Sequence, residues 1–481
     1  MASVVLDPWQ YKLCQEKTPG SVAVGALWLS VGPDLPMIRV TDSEGLATGF
    51  LLGFPIDLAG RCLIQASWQM PARSQADPDA FSRDLLRALG GRFLWIQTAG
   101  GQNRIYPDCS AQVTCVYDAG ARMAGSTAYA LLDAKDYDRR FDKASFDRLG
   151  IDGEGWFPAG LTAHHGINRL LPNHCLDLDR WEVERVWPKS SQQTADDLSE
   201  SVTEIICIIQ AQIEALIGQP KKLALALTAG LDTRTMLACA RPYLANIDLL
   251  TVTGGDQHEV DTITAKRIAT ELGLSHIALP RLVASEEQQS LYIRRGGHCV
   301  GDSNAKFHPS VWPIAKTHIF IGGAGGEIAR PPILRDYDTV DTQLTPQFLA
   351  DRLGLPRTDA IVDALSHHLD SMSFLSALEI LDLVYLEDRY APWYGSQFCC
   401  DPVLLRFAPF ITTRSVELMM RLPQDWKLTG RLAHAIIERL WPELERYPYN
   451  SLGRWKDGII KLQRVIADPR IVLKKLRKLR S

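Results

Sequence analysis

The chain has 481 residues. A single hydrophobic core rarely organises so many residues, so we expect at least two domains. Its 46% hydrophobic and 22% charged residues are typical of a folded globular protein, and its net charge of -4 gives no electrostatic case for nucleic acid as a partner. No apolar stretch approaches the roughly 20 residues of a membrane helix, and the first residues lack the pattern of a signal peptide, so we expect a cytoplasmic protein with no transmembrane segment.

The first predicted domain covers residues 1–190 and is built from short strands. Apolar or alternating runs between Gly, Pro and Asp indicate strands at 47–54, 61–68, 91–98, 103–108 and 111–118, and one helix is predicted at 79–89. Successive strands with few helices favour antiparallel sheet, including an arrangement of sheet packed on sheet.

The second predicted domain covers residues 200–481 and has a different pattern. A polar stretch at 190–202 predicts a linker that leads into a helix at 202–218. Short apolar strands at 223–228, 247–253, 275–280 and 318–323 then alternate with helical segments at 233–244 and 260–273. This alternation favours an α/β fold with a doubly wound parallel sheet, and the chain from about residue 345 predicts a helical C-terminal region.

The scattered cysteines and histidines indicate packing and not a metal centre. The ten cysteines include no C-x-x-C pair, so we expect free and mostly buried thiols. The eleven histidines show no spacing typical of a metal site. A zinc site is therefore not expected.

Three loops follow predicted strands of the second domain: TAGLDTR at 228–234, TGGDQHEVD at 253–261 and GGAGGEIAR at 322–330. In open α/β sheets, ligands bind beyond the carboxyl ends of the strands. The three loops are therefore predicted to lie together at the ligand-binding edge of the sheet.

The first loop combines features of a phosphate site with those of an ordinary helix cap. Gly230 allows a sharp turn, and the amides at the start of the next helix attract anions. The hydroxyls of Thr228 and Thr233 can donate to phosphate oxygens, whereas Asp232 would repel phosphate unless a cation such as Mg²⁺ lay between them. The alternative is that Asp232 or Thr233 caps a helix that begins near Arg234.

The third loop supplies a second carboxylate. It combines four glycines with Glu327 directly after a predicted strand. Two carboxylates from separate loops beside a glycine-lined pocket suit a complex of magnesium with a triphosphate. The alternative is a surface turn with no ligand. Neither loop is a Walker A motif, because G-x-x-x-x-G-K-[ST] does not occur in the chain.

At these loops the chain resembles the asparagine synthetase-like family, whose synthetase domain belongs to the PP-loop ATP pyrophosphatases. The S-G-G-x-D-S loop of the family is similar to residues 228–233, and its G-x-G-x-D loop is similar to residues 323–327. The family pattern D-x-x-x-A-x-x-x-A is similar to residues 261–269, and a later P-F segment is similar to the sequence around Pro409 and Phe410.

The first half also resembles the N-terminal domain of this family, which is a glutaminase of the N-terminal-nucleophile (Ntn) hydrolase class. Residues 85–108 are similar to its L-x-G-x-F hairpin, and residues 161–179 are similar to its exit strand. The resemblance spans roughly residues 45 to 460. It implies an Ntn-hydrolase-like αββα sandwich before the PP-loop sheet.

The resemblance implies a particular reaction. A substrate carboxylate attacks the α-phosphate of ATP, pyrophosphate leaves, and an amine then displaces AMP to form an amide. It assigns ATP contacts to Leu227, Thr228, Ala229, Gly230, Asp232, Thr233, Thr253, Gly323, Ala324, Gly325 and Gly326. Mg²⁺ would be held by Asp232 and Glu327. Lys456 is the candidate for a late lysine that neutralises pyrophosphate, and the alternative is a solvated surface lysine.

Departures from the family narrow the predicted function. Ala2 stands where glutaminases expose a cysteine, so glutamine hydrolysis is not expected and the amine must come from a substrate. This places the chain nearer to β-lactam synthetase-like and lasso-peptide cyclase-like relatives, which act on small-molecule or peptide substrates. Ala324 replaces the Glu or Tyr of the family loop. Glu387, Asp388 and Asp401 are therefore candidates for a general base, and the alternative is that each is a surface or ion-paired carboxylate.

Four further hypotheses remain open. A non-catalytic scaffold is one rival function, because Ala324 replaces the Glu or Tyr of the family loop and the family glutamate near the P-F segment has no clear equivalent. Transfer of the activated acyl group to another nucleophile is a second. The basic tail at 467–481 predicts either a solvated amphipathic helix or a dock for an acidic partner, a carrier protein or a membrane surface. A homodimer is also left open.

Overall fold

The structure is a computed structural model that describes residues 6–72, 77–254, 259–301 and 303–451. The strands of the first half are β1 Tyr11–Cys14, β2 Val22–Val24, β3 Leu27–Val31, β4 Met37–Thr41, β5 Ala47–Asp57, β6 Cys62–Leu63, β7 Ser67–Gln69, β8 Leu89–Gln97, β9 Arg104–Pro107, β10 Val116–Asp118, β11 Met123–Gly125, β12 Asn168–Arg169, β13 His174–Asp177 and β14 Glu182–Arg185. Its helices are α1 Pro78–Ala88, α2 Ala128–Leu131, α3 Ala134–Arg140 and α4 Lys143–Arg148.

The first half forms two sheets, as its strand pattern favours. One has the order β12-β10-β11-β1-β3-β2, and the other has the order β14-β13-β9-β8-β5-β4-β7 with β6 paired to β5. All these pairings are antiparallel except that of β4 with β7. Leu13 and Leu29 of the first sheet share one buried cluster with Leu52 and Leu94 of the second. The two sheets therefore pack face to face.

Helices cover the outer faces of both sheets. Asp77 caps α1 by accepting from the amides of Asp79 and Ala80, and Pro78 opens the helix. Phe81 of α1 is buried in one cluster with Trp95 of β8, on the face of the larger sheet opposite the shared core. The α2 helix lies against β1 and β11 of the smaller sheet. The order of layers is therefore helix, sheet, sheet, helix.

The second half is built on a parallel sheet. Its strands are β15 Lys222–Ala226, β16 Ile247–Thr253, β17 His276–Pro280, β18 His318–Ile321 and β19 Arg406–Phe407. The order is β17-β16-β15-β18-β19, with every neighbouring pair parallel. The apolar runs predicted as strands lie in β15 to β18, which confirms an α/β class with parallel and antiparallel sheets. The edge strand β19 was not predicted.

Helices follow the strands and fill the C-terminal third. They are α5 Leu198–Ile217, α6 Leu231–Ala240, α7 Glu259–Leu272, α8 Glu286–Arg295, α9 Ser303–Phe307, α10 Pro346–Leu353, α11 Asp359–Asp370, α12 Ala377–Val384, α13 Ala391–Gly395, α14 Thr413–Met420, α15 Gln424–Thr429 and α16 Arg431–Leu440. Residues Tyr385–Tyr390 form a π-helical turn between α12 and α13. Among the described residues, no helix is both long and apolar enough to cross a membrane.

Several boundaries differ from the sequence-based predictions. The stretch 61–68 forms the two short strands β6 and β7, and β1, β3 and β4 were not predicted. The helix predicted at 202–218 begins earlier, at Leu198, because Asp197 caps it by accepting from the amide of Glu200. Residues 186–197 form no helix or strand, in agreement with the predicted linker. All ten cysteines are free thiols, and seven of them are buried.

Candidate functional site

Two of the predicted loops meet where adjacent strands end. β15 and β18 are neighbours in register, with Leu225 opposite Ile321, so their following loops emerge side by side. A Cβ atom placed on Gly326 would lie 2.3 Å from Oδ1 of Asp232, and one placed on Gly323 would lie 2.8 Å from the amide nitrogen of Thr233. The contact between the loops therefore requires glycine at both positions.

The two predicted metal ligands lie within electrostatic reach of each other. Burial, with a further contribution from Asp232, raises the pKa of Glu327 to about 6. Oε2 of Glu327 accepts from the amide of Gly325 at 3.0 Å. Oδ1 of Asp232 is buried and has no hydrogen-bond partner among the described residues. A pair of close carboxylates with an unsatisfied oxygen is the environment that a hard cation stabilises.

One cation of the protein already contacts this pair. Nη2 of Arg330 lies 2.6 Å from Oδ2 of Asp232. Arg330 follows Glu327 by three residues in the loop, and sequence reasoning assigned it no role. The donor set of Asp232 and Glu327 fits Mg²⁺ because both are hard oxygen ligands. A metal that used both oxygens of Asp232 would have to compete with the guanidinium of Arg330.

The first loop is held by hydrogen bonds of its own. The amide of Ala229 donates to Oδ1 of Asp261 at 2.9 Å, and the amide of Gly230 donates to Oγ1 of Thr228 at 3.0 Å. The hydroxyls of Thr228 and Thr233 lie 2.8 Å apart. Two of the amides and both hydroxyls predicted to bind phosphate therefore have partners within the protein.

The helix that follows the loop has no side-chain cap. α6 begins at Leu231, with Gly230 at the N-cap position, and no side chain in the described part of the chain caps its first amides. The prediction that Asp232 or Thr233 caps a helix beginning near Arg234 is therefore wrong. Because no side chain caps them, the amides of the first turn keep the positive end of the helix dipole available to an anion.

A C-terminal segment, residues 447–450, lies along the first loop. Arg234 is fully buried and donates to the carbonyl oxygens of Ala229 at 2.7 Å and Tyr447 at 2.5 Å. Its guanidinium carbon lies 4.0 Å from the ring centre of Tyr449. The amide of Asn450 donates to the carbonyl of Ala229 at 3.0 Å. Sequence reasoning did not find this segment, and Lys456 lies outside the described residues.

The remaining predicted nucleotide contacts have mainly structural partners. The amide of Leu227 donates to Leu250 at 2.8 Å, so this residue continues the sheet. The hydroxyl of Thr253 donates to the carbonyl of Leu279 at 3.1 Å. Ala324 is half-buried and packs against the main core. These contacts place Leu227 and Thr253 in the sheet framework behind the loops.

The π-helical turn faces Glu327 with tyrosines. Burial, followed by the charge of Glu327, raises the pKa of Tyr385 and of Tyr390. The hydroxyl of Tyr390 is buried and lacks a hydrogen-bond partner among the described residues. π-Helical turns occur often at functional sites. The sequence did not lead us to predict this turn.

Glu387 and Asp388 belong to the same turn but are bonded elsewhere. Arg185 binds both oxygens of Glu387, at 2.9 and 2.7 Å, and His368 bridges Glu387 and Asp388 at 2.7 and 2.8 Å. Both carboxylates are fully buried. Burial alone would raise the pKa of Glu387, but Arg185 and His368 outweigh it and hold this pKa below its usual range. Both residues are therefore ion-paired carboxylates, as the alternative to a general base allowed, although they are buried and not at the surface. The partners leave neither oxygen of Glu387 open as a general base.

Asp401 is also a buried, bonded carboxylate. Its two oxygens accept from Nε1 of Trp312, each at 3.2 Å, and Oδ2 lies 3.6 Å from Nη2 of Arg406. No hydrogen bond or ion pair within the described residues joins Asp401 to the two glycine loops. Asp401 is therefore an ion-paired carboxylate, as the alternative to a general base allowed, but it is buried and not at the surface.

A second group of side chains has the composition of a metal site. Among the described residues, ligand atoms of His174, His368 and Glu387 all lie within 4.8 Å of one another. The guanidinium of Arg185, however, lies 3.0 Å from Nε2 of His368 and 2.7 Å from Oε2 of Glu387. A metal ion at this point would have to displace a buried cation. We therefore describe the group as an ion-pair network.

No protein-family model matches the chain, and no curated protein matches it. The resemblance to the asparagine synthetase-like family therefore remains a prediction. Functional assignment depends on the geometry of the two loops and on the chemistry of the residues that they carry.

Proposed function

We propose that the protein is an ATP-dependent, AMP-forming amide ligase or cyclase that acts through an acyl-adenylate. The observation that carries this proposal is the junction of the two glycine loops at Asp232 and Glu327. Two carboxylates beside an uncapped helix N-terminus combine a cation site with an anion site. A nucleotide triphosphate with its metal ion is the ligand that requires both.

Some residues of the chain would bind the nucleotide, and others would hold the cation that neutralises its charge. Asp232 and Glu327 would hold Mg²⁺, which neutralises the leaving pyrophosphate when it is bound. The first-turn amides of α6 would contact phosphate oxygens, and Gly323 and Gly326 allow the loops to approach each other closely. Adenylation of a carboxylate needs positioning and electrostatic stabilisation more than covalent catalysis by the protein. The proposed site therefore needs no nucleophilic side chain.

The first half supports the use of a substrate amine. Its helix-sheet-sheet-helix layers suit the Ntn-hydrolase-like αββα sandwich that the resemblance implies, and we assign it to a degenerate glutaminase domain. Residue 2 is alanine, so no thiol stands at that position to hydrolyse glutamine. The carboxylate and the amine would then both come from a small molecule or a peptide, in one molecule or in two.

A pyrophosphate-release assay tests the proposed activity. The full chain is incubated with ATP, Mg²⁺ and a panel of amino carboxylates, and pyrophosphate and AMP are measured together. The proposal requires equal amounts of the two products, with loss of both in Asp232→Ala. Release of ADP and phosphate, or unchanged turnover in Asp232→Ala, would contradict it.

A non-catalytic role as a binding or scaffold protein is the second candidate. The pairing of Asp232 with Arg330 favours it, because the protein's own cation stands at the predicted metal ligand. The internal partners of the Ala229 and Gly230 amides favour it as well. Calorimetric titration with Mg²⁺ and ATP separates the two candidates, since the scaffold function requires neither ligand to bind.

A further inference from the structure

A cavity of about 270 Å³ lies between the two halves of the chain. Its wall includes residues of α1 and β13 from the first half and of α14 from the second, and none of its lining residues belongs to the two glycine loops. Small-molecule sites commonly measure about 300–1,000 Å³. At about 270 Å³ the cavity lies just below this range, so it suits only a small organic molecule, at a place separate from the proposed ATP site.

The wall of this cavity carries more positive than negative side chains. It has four arginines, Arg83, Arg87, Arg414 and Arg421, and two carboxylates, Asp84 and Glu417. Arg87 and Arg414 are compensated, because Glu417 lies 3.1 Å from Arg87 and Glu204 lies 2.6 Å from Arg414. Arg83 is exposed and has no ion-pair partner in the described part of the chain. The wall therefore has an excess of positive charge that an anionic ligand would neutralise.

A histidine with one nitrogen not used in a hydrogen bond among the described residues also lines the cavity. His174 is 7% exposed, and its Nδ1 lies 2.7 Å from the carbonyl oxygen of Pro172. A carbonyl oxygen only accepts, so Nδ1 carries the proton and Nε2 is an acceptor. Burial lowers the pKa of His174 to about 3, which keeps the ring neutral. Nε2 makes no hydrogen bond to any described residue, so it is available to a donor in the cavity.

The floor of the cavity is held in place by the ion-pair network. Asn173 lines the cavity beside His174, and its Nδ2 donates to Oε1 of Glu387 at 2.7 Å. Arg185 binds the same carboxylate through both of its terminal nitrogens. A floor fixed in this way loses little conformational freedom when a ligand binds.

We propose that this cavity binds a small organic acid that also carries a hydroxyl or an amino group. The carboxylate would lie against the arginines, of which Arg83 and Arg421 have no ion-pair partner among the described residues. The hydroxyl or amino group would donate to Nε2 of His174. The site takes its ligand without ATP or Mg²⁺, so the proposal stands independently of the proposed ligase activity.

Calorimetric titration of the full chain without nucleotide or metal tests this site. L-malate and succinate serve as probes at constant ionic strength because they differ by one hydroxyl. We expect saturable 1:1 binding of malate, with affinity about fivefold higher than that of succinate. Arg83→Gln should weaken both about tenfold and keep the malate preference. His174→Asn, which retains a donor near Pro172, should remove the preference.

Lys266→Gln is the matched control, because Lys266 is an exposed cation on α7 outside the cavity. Equal weakening in Arg83→Gln and Lys266→Gln would overturn the proposal, since only general charge would then matter. Absence of saturable binding of both dicarboxylates, or equal affinities for the two, would also overturn it. Tighter binding of inorganic phosphate than of either dicarboxylate would overturn the assignment to a carboxylate. Thermal unfolding of each variant confirms that it is folded before titration.

Discussion

Arg330 and Asp232 form an ion pair of 2.6 Å at the junction of the two glycine loops. The pair neutralises one of two carboxylates that would otherwise repel each other at the proposed metal site. Among the described residues, Oδ1 of Asp232 has no hydrogen-bond partner. The protein therefore carries its own counter-cation at the place where we propose a magnesium-bound nucleotide.

Removal of the Arg330 guanidinium should make the thermal stability of the protein depend more strongly on Mg²⁺. We predict that Arg330→Gln lowers the melting temperature without Mg²⁺, because Asp232 and Glu327 then lack compensation. Added Mg²⁺ should restore more stability to this variant than to the native chain, since it no longer competes with a guanidinium. Thermal unfolding with and without Mg²⁺ measures both effects. Arg330→Lys is the control that retains the charge, and equal responses to Mg²⁺ in all three proteins would show that no competition exists.

The close contact of the loops makes Gly326 intolerant of a side chain. In Gly326→Ala the new Cβ would start 2.3 Å from Oδ1 of Asp232, so the carboxylate or the loop must move. We expect destabilisation of about 1–3 kcal/mol and loss of ATP binding. Denaturant unfolding and calorimetry measure the two quantities. Gly153→Ala serves as control because nothing lies within 4 Å of its Cβ position, and the same loss there would refute the contact argument.

Arg234 should be the main link between the first loop and residues 447–450. Arg234→Met removes donors to three carbonyl groups, two of them in buried hydrogen bonds, while it keeps much of the apolar stem. We expect a loss of roughly 3 kcal/mol and faster hydrogen exchange at the amides of Ala229 and Asn450. Arg431→Gln breaks only an exposed pair with Glu438 and should change stability by less than about 0.5 kcal/mol. Unchanged exchange at both amides would mean that Arg234 does not hold the segment.

The buried ion-pair network should make stability depend on pH. Burial lowers the pKa of His368, but Asp388 and Glu387 outweigh it and raise the pKa from 6.5 to about 9. Arg185 is the other charged group that faces the network. Because the folded pKa is raised, the stabilisation is fully present below pH 6.5 and is lost as the pH rises through 9. The shift corresponds to about 3 kcal/mol.

Urea unfolding between pH 6 and pH 9.5 measures this dependence in the native chain and in His368→Gln. The variant should be less stable at pH 6, and its stability should fall less over the same range. Parallel curves for the two proteins would contradict the assignment of the pH dependence to His368.

The sequence predicted the framework of the second half because its signals are local. Apolar runs such as LALAL and IDLLTVT form β15 and β16 as expected, and the loop after β15 meets the loop after β18 as the parallel topology requires. The glycines and the carboxylate of the third loop also indicated a ligand pocket at this edge. Each of these predictions depends only on residues within a single strand-loop-helix unit, so the local sequence was sufficient for it.

The partners of the site residues could not be predicted, because they come from distant parts of the chain. Arg330 lies 98 residues from Asp232, and Tyr447 lies 213 residues from Arg234. Likewise the sequence left open whether Glu387 is a general base or an ion-paired carboxylate, and its partner Arg185 lies 202 residues away. Each of these contacts is set by packing between elements and not by any local pattern.

Calorimetric titration of Mg²⁺-ATP into the full chain tests the central claim most directly. We predict saturable binding at one site, loss of that binding in Asp232→Asn, and retention in Asp401→Asn, whose side chain has no described contact with the glycine loops. The absence of nucleotide binding to the native chain, or equal binding by native protein and Asp232→Asn, would contradict the account.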